Sequence, residues 1–321
     1  MGFTDAEIDA VTQDYFAMKT AQDIYYWPSV LLTKLLKQKE GLYREIPGSV
    51  YARLPLVYDI SDGGAFGRND SLKNTDRQLV DAARFKMKNY SSVAVLNWVS
   101  EQENSGPEAV IDLVTTKIQG AQNKISKDLG SDLYSAAGDD DIQLTGLKSL
   151  ANTSTTTAYG GLTEAGVVAT DGTKPWAAKV TSTSTVVDLA AIATLRSSGK
   201  VGNGDRDKPD IAVTPEDIFQ KVARILQVQQ RFTTSDSIEL KGFTSLMVEG
   251  LTMTADDFCP ANHMFALNTN YIGFGVQVNF KRLPWVSSTA PLSRTMHIIF
   301  RGNMLCNHRR AHATHTALTT S

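Results

Sequence analysis

From Ser105 to Tyr134 the chain repeats apolar residues at helical spacing without a break. Val110, Ile111, Val114, Ile118, Ala121, Ile125, Leu129 and Leu133 fall on one stripe. Asp112, Lys117, Gln119, Lys124, Lys127 and Asp128 occupy the other faces. That period predicts a single helix, opened by a capping box of Ser105 and Glu108 with Pro107 in its first turn. At about 1.5 Å per residue it is a rod of roughly 45 Å. Gly120, near the middle, weakens it slightly and gives it a place to bend. No other segment carries a matching heptad pattern, so the stripe is expected to lie along a sheet and not in a coiled coil.

Ahead of the rod, from Tyr43 to Tyr90, the period changes to two. RLPLVYDI sets Leu54, Leu56, Tyr58 and Ile60 against Arg53, Pro55, Val57 and Asp59. AARFKMKNY sets Ala83, Phe85 and Met87 against Arg84, Lys86 and Lys88. Between them lies SDGGAFGRND, rich in glycine and turn formers. The pattern predicts a long hairpin with one apolar face. Two strands alone are marginal in water, and Pro55 suits an edge strand. The face therefore needs a cover: either the hairpin folds back on its own domain, or something outside supplies one.

At the N-terminus, Thr4 and Glu7 form a capping box ahead of Ile8, Val11, Tyr15 and Met18, and a short helix after Pro28 carries Leu31, Leu32, Leu35 and Leu36. Tyr25, Tyr26 and Trp27 lie here with too little chain to enclose them, so this segment is expected to lie on something else. After Gly138 and the run Asp139-Asp140-Asp141 the character becomes mixed α/β. Two Thr/Ser patches, 153–157 and 181–185, flank a Gly-rich loop, and Thr185 reads as the cap of a helix through VVDLAAIATL that ends near Gly199. PDIAV (209–213) reads as a buried strand, and Thr214-Pro215-Glu216-Asp217 opens a helix bearing Ile218, Phe219, Val222, Ile225 and Leu226. From Phe243 onward the pattern is mainly β, with no internal repeat.

Composition narrows the function classes. The 321 residues carry a net charge of −2, so the chain is not built as an electrostatic nucleic-acid binder. Cys259 and Cys306 are too few for a disulfide scaffold of this size and read as buried thiols in a reducing compartment. MGFTDAEIDAVTQDYF is not a signal peptide, and Ala6 breaks a myristoylation pattern. The most apolar window, VVDLAAIATL, is about half the length of a membrane span and contains Asp188. A protein made in the cytosol, away from membranes, is expected.

Catalytic and cofactor motifs are missing: there is no GxxxxGK[ST], HExxH, GxSxG or GxGxxG. Cys259 with His263, and Cys306 with His308, His312 and His315, fit no common zinc spacing, and the last three histidines read as part of a polar tail. Asp139–Asp141 and Asp256-Asp257 read as solvated loops without a second cluster to complete a metal site. Asp256, Asp257 and His263 in a metal-assisted hydrolysis is a remote third reading. No catalytic residue, cofactor or metal is expected. The conspicuous features are surfaces in need of partners.

Their order carries a resemblance. Phe66-Gly67-Arg68 at the hairpin tip, Asn104-Ser105-Gly106 running into EAVIDLVTTKI, and QLTGLKSL (143–150) followed by Tyr159-Gly160-Gly161 come in sequence. PDIAVT (209–214), Gln230-Arg231-Phe232, Lys241-Gly242-Phe243 and HMFALNTNYI (263–272) follow. Arm, long hairpin, long helix, α/β domain and returning strands in this order resemble the major capsid protein of tailed bacteriophages, with its Hong Kong 97-like capsid fold.

The resemblance implies an α+β architecture: an N-terminal arm (1–40), an extended hairpin loop (41–92), a peripheral domain (93–141) with a spine helix over 105–135, an axial domain (142–273), returning peripheral strands (274–308) and a C-terminal tail (309–321). It implies a shell subunit that forms hexamers and pentamers around double-stranded DNA, in a virion assembled in the host cytoplasm. Portal and decoration proteins are the implied partners. About forty residues precede the hairpin, which favours a separate scaffolding protein, or none, over a fused one. Under this reading the hairpin's cover is an adjacent subunit, and Trp27, Leu54, Leu56, Tyr58, Phe66, Gly67, Arg68, Phe85 and Met87 are expected assembly contacts. Gly120 becomes a flex point of the spine helix. A bacterial container of the encapsulin type, with the same fold, is the alternative.

Overall fold

Ser29 opens the structure, a computed structural model that describes residues 29–37, 41–72, 75–99, 113–202, 204–229, 245–288 and 292–320. The Ser29 hydroxyl accepts the Leu32 N–H and caps α1 (Val30–Leu32), which widens into a π-helical turn, Thr33–Lys37. The expected leucines 31, 32, 35 and 36 are all buried. After β1 (Arg44–Glu45), β2 (Tyr51–Val57) and β3 (Val80–Lys86) pair antiparallel, with Ala52 opposite Phe85 and Leu54 opposite Ala83. The period of two is therefore one real face, and these four residues are buried.

β4 (Lys88–Asn97) follows, and then α2 (Leu113–Asp132), the described part of the rod. Ala121, Ile125 and Leu129, four residues apart, are buried, as is Leu133 just beyond. The capping box at Ser105, the first helix from Thr4, Trp27, Gln230-Arg231-Phe232 and Lys241-Gly242-Phe243 lie outside the described residues.

After α3 (Leu147–Leu150), the α/β segment holds β5 (Lys179–Thr181), β6 (Thr185–Val186), α4 (Leu189–Ser198), β7 (Ile211–Thr214) and α5 (Glu216–Gln229). The cap of α4 is Asp188, whose carboxylate accepts the Ala191 N–H at 2.6 Å. Thr185 instead lies in β6, which corrects the sequence reading: an ionised carboxylate answers the helix dipole as well as the free N–H. The strands β8 (Ser245–Val248) and β9 (Leu251–Ala255) are joined by Glu249 and Gly250, both at positive φ, as a tight hairpin turn requires. β10 (Met264–Leu267), β11 (Ile272–Arg282), β12 (Val286–Ser288), β13 (Ser293–Cys306), β14 (Ala313–His315) and β15 (Leu318–Thr319) complete the chain.

Two compact units result. The described part of the larger is drawn from 29–88, 129–277 and 302–320, and that of the smaller from 89–128 and 278–301. The larger holds a six-stranded mixed sheet in the order β5-β14-β10-β7-β9-β8. On one face α4 and α5 bury Ile192, Leu195, Ile218, Phe219 and Val222 against Ala212, Met253, Met264, Ala266 and Ala313. On the other, Phe265 meets the ring of Tyr134 at 5.9 Å. In the smaller unit β12 pairs with β13, and Phe280 packs on Phe300.

The sheet corrects a second expectation. Residues 309–320 are not a polar tail: β14 sits between β5 and β10, and Arg309, His312, Thr314 and His315 are buried. The polar letters misled because each of these side chains has its cover, and most have their hydrogen bonds, inside the chain.

Candidate functional site

The hairpin is held first by its own chain. The Phe85 ring stands edge-on to Tyr159 at 5.4 Å, and the Arg84 N–H donates to the Gly160 carbonyl at 2.7 Å. Gly160 has φ 64°, and a Cβ there would meet Phe85 Cζ at 2.9 Å, so only glycine allows the strand this close. Beneath Tyr159 lies the guanidinium of Arg309, 5.2 Å from the ring centroid. Arg309 is 1% exposed and donates to the carbonyls of Leu150 (2.8 Å), Trp176 (3.3 Å), Ser149 (3.5 Å) and Asn152. Burial lowers its pKa, opposed first by Tyr159.

Farther out, Asp59 accepts from the Thr170 hydroxyl at 2.7 Å and from its N–H at 3.2 Å, and Arg77 pairs with Asp62 at 3.1 Å while also reaching Thr170. The Thr170 hydroxyl and the Ile60 N–H hold the Asp59 carboxyl below its usual range. Sequence reading missed these pins, because nothing local marks Thr170 as the partner of a residue 111 positions away.

The expected contact residues therefore divide. Leu54, Phe85 and Met87 are 3%, 0% and 4% exposed with only their own chain present. This corrects their reading as intersubunit contacts: the base of the hairpin folds back on its own unit. Leu56 and Tyr58 are half-buried, and Phe66, Gly67 and Arg68 are exposed at the tip. On the hairpin, apolar surface is left bare on the distal loop and its flanks, where Val57, Ile60, Phe66, Leu72 and Val80 are each more than half exposed. Gly120 faces open space.

The clusters weighed for metal chemistry are structural. Asp256, expected in a solvated loop, is 3% exposed. Its carboxylate accepts from the Ser29 hydroxyl (2.7 Å), the Leu31 N–H (3.3 Å) and the Tyr134 hydroxyl (3.0 Å), joining α1, the segment after α2 and the sheet. Burial, and then the nearby Asp256 charge, push the Tyr134 phenol well up. The acidic run at 139–141 wraps the amine of Lys88, which donates to the carbonyls of Gly138, Asp139 and Asp141. Lys88, read as solvent-facing, is instead 3% exposed, because the strand breaks its alternation at Met87. Burial pushes the Asp139 carboxyl up against the Gly161 N–H that it accepts at 2.8 Å. The thiols are buried as expected, and burial pushes Cys306 up to about 12. Among the described residues no cluster of His, Cys, Asp and Glu could hold a metal ion, and no helix is long and apolar enough to cross a membrane.

No known protein family and no curated protein matches the sequence. Solved structures do match. The capsid asymmetric unit of cyanophage A-1(L) superposes with a TM-score of 0.70 at 17% identity, covering 94% of this chain and 96% of that one. The capsid of Myoviridae phage XM1 gives 0.60 at 10% identity, covering 99% of each chain. This chain has the tailed-phage capsid fold. The encapsulin of Synechococcus elongatus PCC 7942, in its holo-SrpI complex, gives 0.60 at 11% identity over 100% of this chain and 98% of that one. Each of these matches covers 94% or more of this chain.

Proposed function

We propose that the chain is the major capsid protein of a tailed bacteriophage: a structural subunit, not an enzyme, that self-assembles into the hexamers and pentamers of an icosahedral head around double-stranded DNA. The observation that carries this reading is the end-to-end likeness to shell subunits, 94% and 96% of the two chains for the cyanophage capsid. Bare apolar residues on the distal hairpin agree with it, since large apolar patches mark interaction surfaces. The net charge of −2 suits a wall that does not grip its cargo. A portal, a separate scaffolding protein and outer decoration proteins are the further partners of such a subunit. The encapsulin alternative rests on a match of 100% of this chain to 98% of a container protein; purified shells that hold a protein cargo and no DNA select it.

Negative-stain microscopy of the purified, full-length protein tests the assembly reading, with shells, tubes or capsomer rings expected. Replacing residues 63–72 by a two-residue Asn-Gly turn leaves Ala52, Leu54, Ala83 and Phe85 covered, so the subunit should stay folded and soluble yet fail to close shells. Normal particles from that variant would remove the distal loop from assembly.

Gly120 is the proposed flex point of the spine helix, because it costs helix stability in open space. Gly120→Ala should stabilise the helix by about 0.5–1 kcal/mol and slow shell expansion. Unchanged expansion kinetics in that variant rule the flex point out.

A further inference from the structure

Two Asp-Gly pairs occur in the chain, Asp62-Gly63 and Asp171-Gly172. A glycine after an aspartate presents no side chain to stop its backbone nitrogen from closing on the carboxyl carbon. The fold treats the two pairs differently. The Gly63 N–H donates to Asp62 Oδ1 at 3.0 Å, which lays that nitrogen against the Cγ bearing the oxygen. Neither residue belongs to a helix or strand, and a Cβ at Gly63 or Gly64 would meet nothing within 4 Å, so water has access. At the other pair the Gly172 N–H is bound to the Ala169 carbonyl at 2.9 Å, while Asp171 Oδ1 accepts the Thr173 N–H at 2.8 Å. Nitrogen and carboxyl there face different partners.

Asp59 and Asp81 also meet the next N–H, that of Ile60 at 2.9 Å and that of Ala82 at 2.7 Å. Each is followed by a residue whose Cβ crowds a closing ring, and Asp81 is held in the ladder opposite Leu56. Asp62 combines the contact with a following glycine and with a cation on its other oxygen, since Arg77 reaches Oδ2 at 3.1 Å. A guanidinium in that place stabilises the negative charge that gathers on Oδ2 when a nucleophile adds to Cγ.

We propose that Asp62 is a modification site, where the chain slowly isomerises to isoaspartate. The Gly63 nitrogen forms a bond to Asp62 Cγ; Oδ1 leaves as water, taking the amide hydrogen and one proton from solvent; Oδ2 becomes a ring carbonyl. Water then opens this succinimide and returns the proton. Breaking the new N–Cγ bond restores aspartate, whereas breaking the original peptide bond leaves the main chain running through Cβ and Cγ. The product has the composition of the starting chain, so no oxidant or reductant takes part. The main chain gains one methylene, and the carboxylate moves to Cα, out of the geometry in which Asp62 meets Arg77. The stretch between β2 and the hairpin tip is thereby loosened with age, whatever the chain assembles into.

The test keeps the full-length protein in heavy-oxygen water, then digests it and maps the peptides by mass spectrometry, because each passage through the succinimide places a heavy oxygen in the residue. In the folded protein Asp62 should take up label about tenfold or more faster than Asp171, since a reacting pair held in contact gains that much over a misplaced one. In concentrated urea, where only the local sequence acts, the two should label at similar rates. The folded sample should also yield an isoaspartyl peptide at position 62 that separates from its aspartyl form by chromatography. Gly63→Ala, which the open space at that position accommodates, should suppress the label at Asp62. Arg77→Gln should slow labelling of Asp62 in the folded protein and leave its rate in urea unchanged. Labelling of Asp62 no faster than that of Asp171 in the folded protein overturns the site. A folded-state rate in Arg77→Gln that matches the native one overturns the part given to the guanidinium.

Discussion

Arg309→Ala is expected to lower the unfolding free energy of the dissociated subunit by on the order of 4 kcal/mol. The side chain bonds four carbonyls, on Ser149, Leu150, Asn152 and Trp176, and among the described residues no carboxylate is a hydrogen-bond partner. Hydrogen bonds to a charged group contribute about 1.5–3 kcal/mol each, and carbonyls stranded in the interior cost more than the bonds themselves. Against a total stability of about 5–15 kcal/mol that is a large fraction. Arg309→Lys should recover less than half, because one compact ammonium cannot span carbonyls that a planar fork reaches on several sides. A guanidinium-chloride midpoint, measured below the assembly concentration, gives the number. The damage should also travel. Tyr159 stacks on Arg309 and carries Phe85, so the Arg84 N–H, bonded to Gly160, should exchange with solvent faster in the variant. A loss below about 1 kcal/mol with unchanged exchange would show that the hairpin's footing lies elsewhere.

That footing explains where sequence reading succeeded and where it stopped. Elements whose pattern is set by local period were legible: the face of β2 and β3, the stripe through Ala121, Ile125 and Leu129, the buried strand β7 and the helix after Pro215. Each follows from the geometry of a single element. The failures involve partners distant in sequence. The cover of Phe85 comes from Tyr159 and Gly160, so nothing inside the hairpin could tell a fold-back from a contact with a neighbour. Asp256 looked solvated because its donors, Ser29 and Tyr134, are 227 and 122 residues away. The run RRAHATH reads as polar by composition, yet Arg309 and His312 are interior residues whose bonds go to backbone. Polar letters in a strand flanked by Ala311 and Ala313 were the available signal: small residues alternating with polar ones can mark a sheet centre as well as a tail.

The exposed tip is the converse case. Phe66, Gly67 and Arg68 were singled out by resemblance, and they stay exposed in the folded chain while Leu54, Ala83 and Phe85 behind them do not. A hairpin whose base is pinned by Phe85, Asp59 and Arg77 presents its tip on a rigid mount. Rigidity matters for assembly, since ordering a floppy loop on contact would subtract from the association energy. The same pins let the distal loop be altered without unfolding the unit, which is why tip variants can separate assembly from folding.

Stability is expected to fall steeply in acid, and His312 is the main cause. It is 1% exposed; Nδ1 accepts the Asn268 N–H at 3.1 Å, and Nε2 finds no partner in good hydrogen-bond geometry among the described residues. Burial, and then the neighbouring His308, hold its pKa down to about 3, against 6.5 for a free histidine. Between those values the unfolded chain binds a proton that the folded chain refuses. The stabilisation is therefore complete above pH 6.5 and is lost progressively as pH falls towards 3. Each pH unit in that window is worth about 1.4 kcal/mol, so dropping from 6.5 to 4.5 should cost roughly 3 kcal/mol. His308 and His315, whose pKa values burial also lowers, act in the same direction. Asp139, pushed up by burial, acts in the opposite one. His312→Asn keeps an acceptor for Asn268 and removes the titration. Its unfolding free energy, measured by denaturant at pH 7.5, 5.5 and 4.5, should vary far less than that of the native chain. Parallel slopes for the two proteins would place the acid sensitivity in other groups.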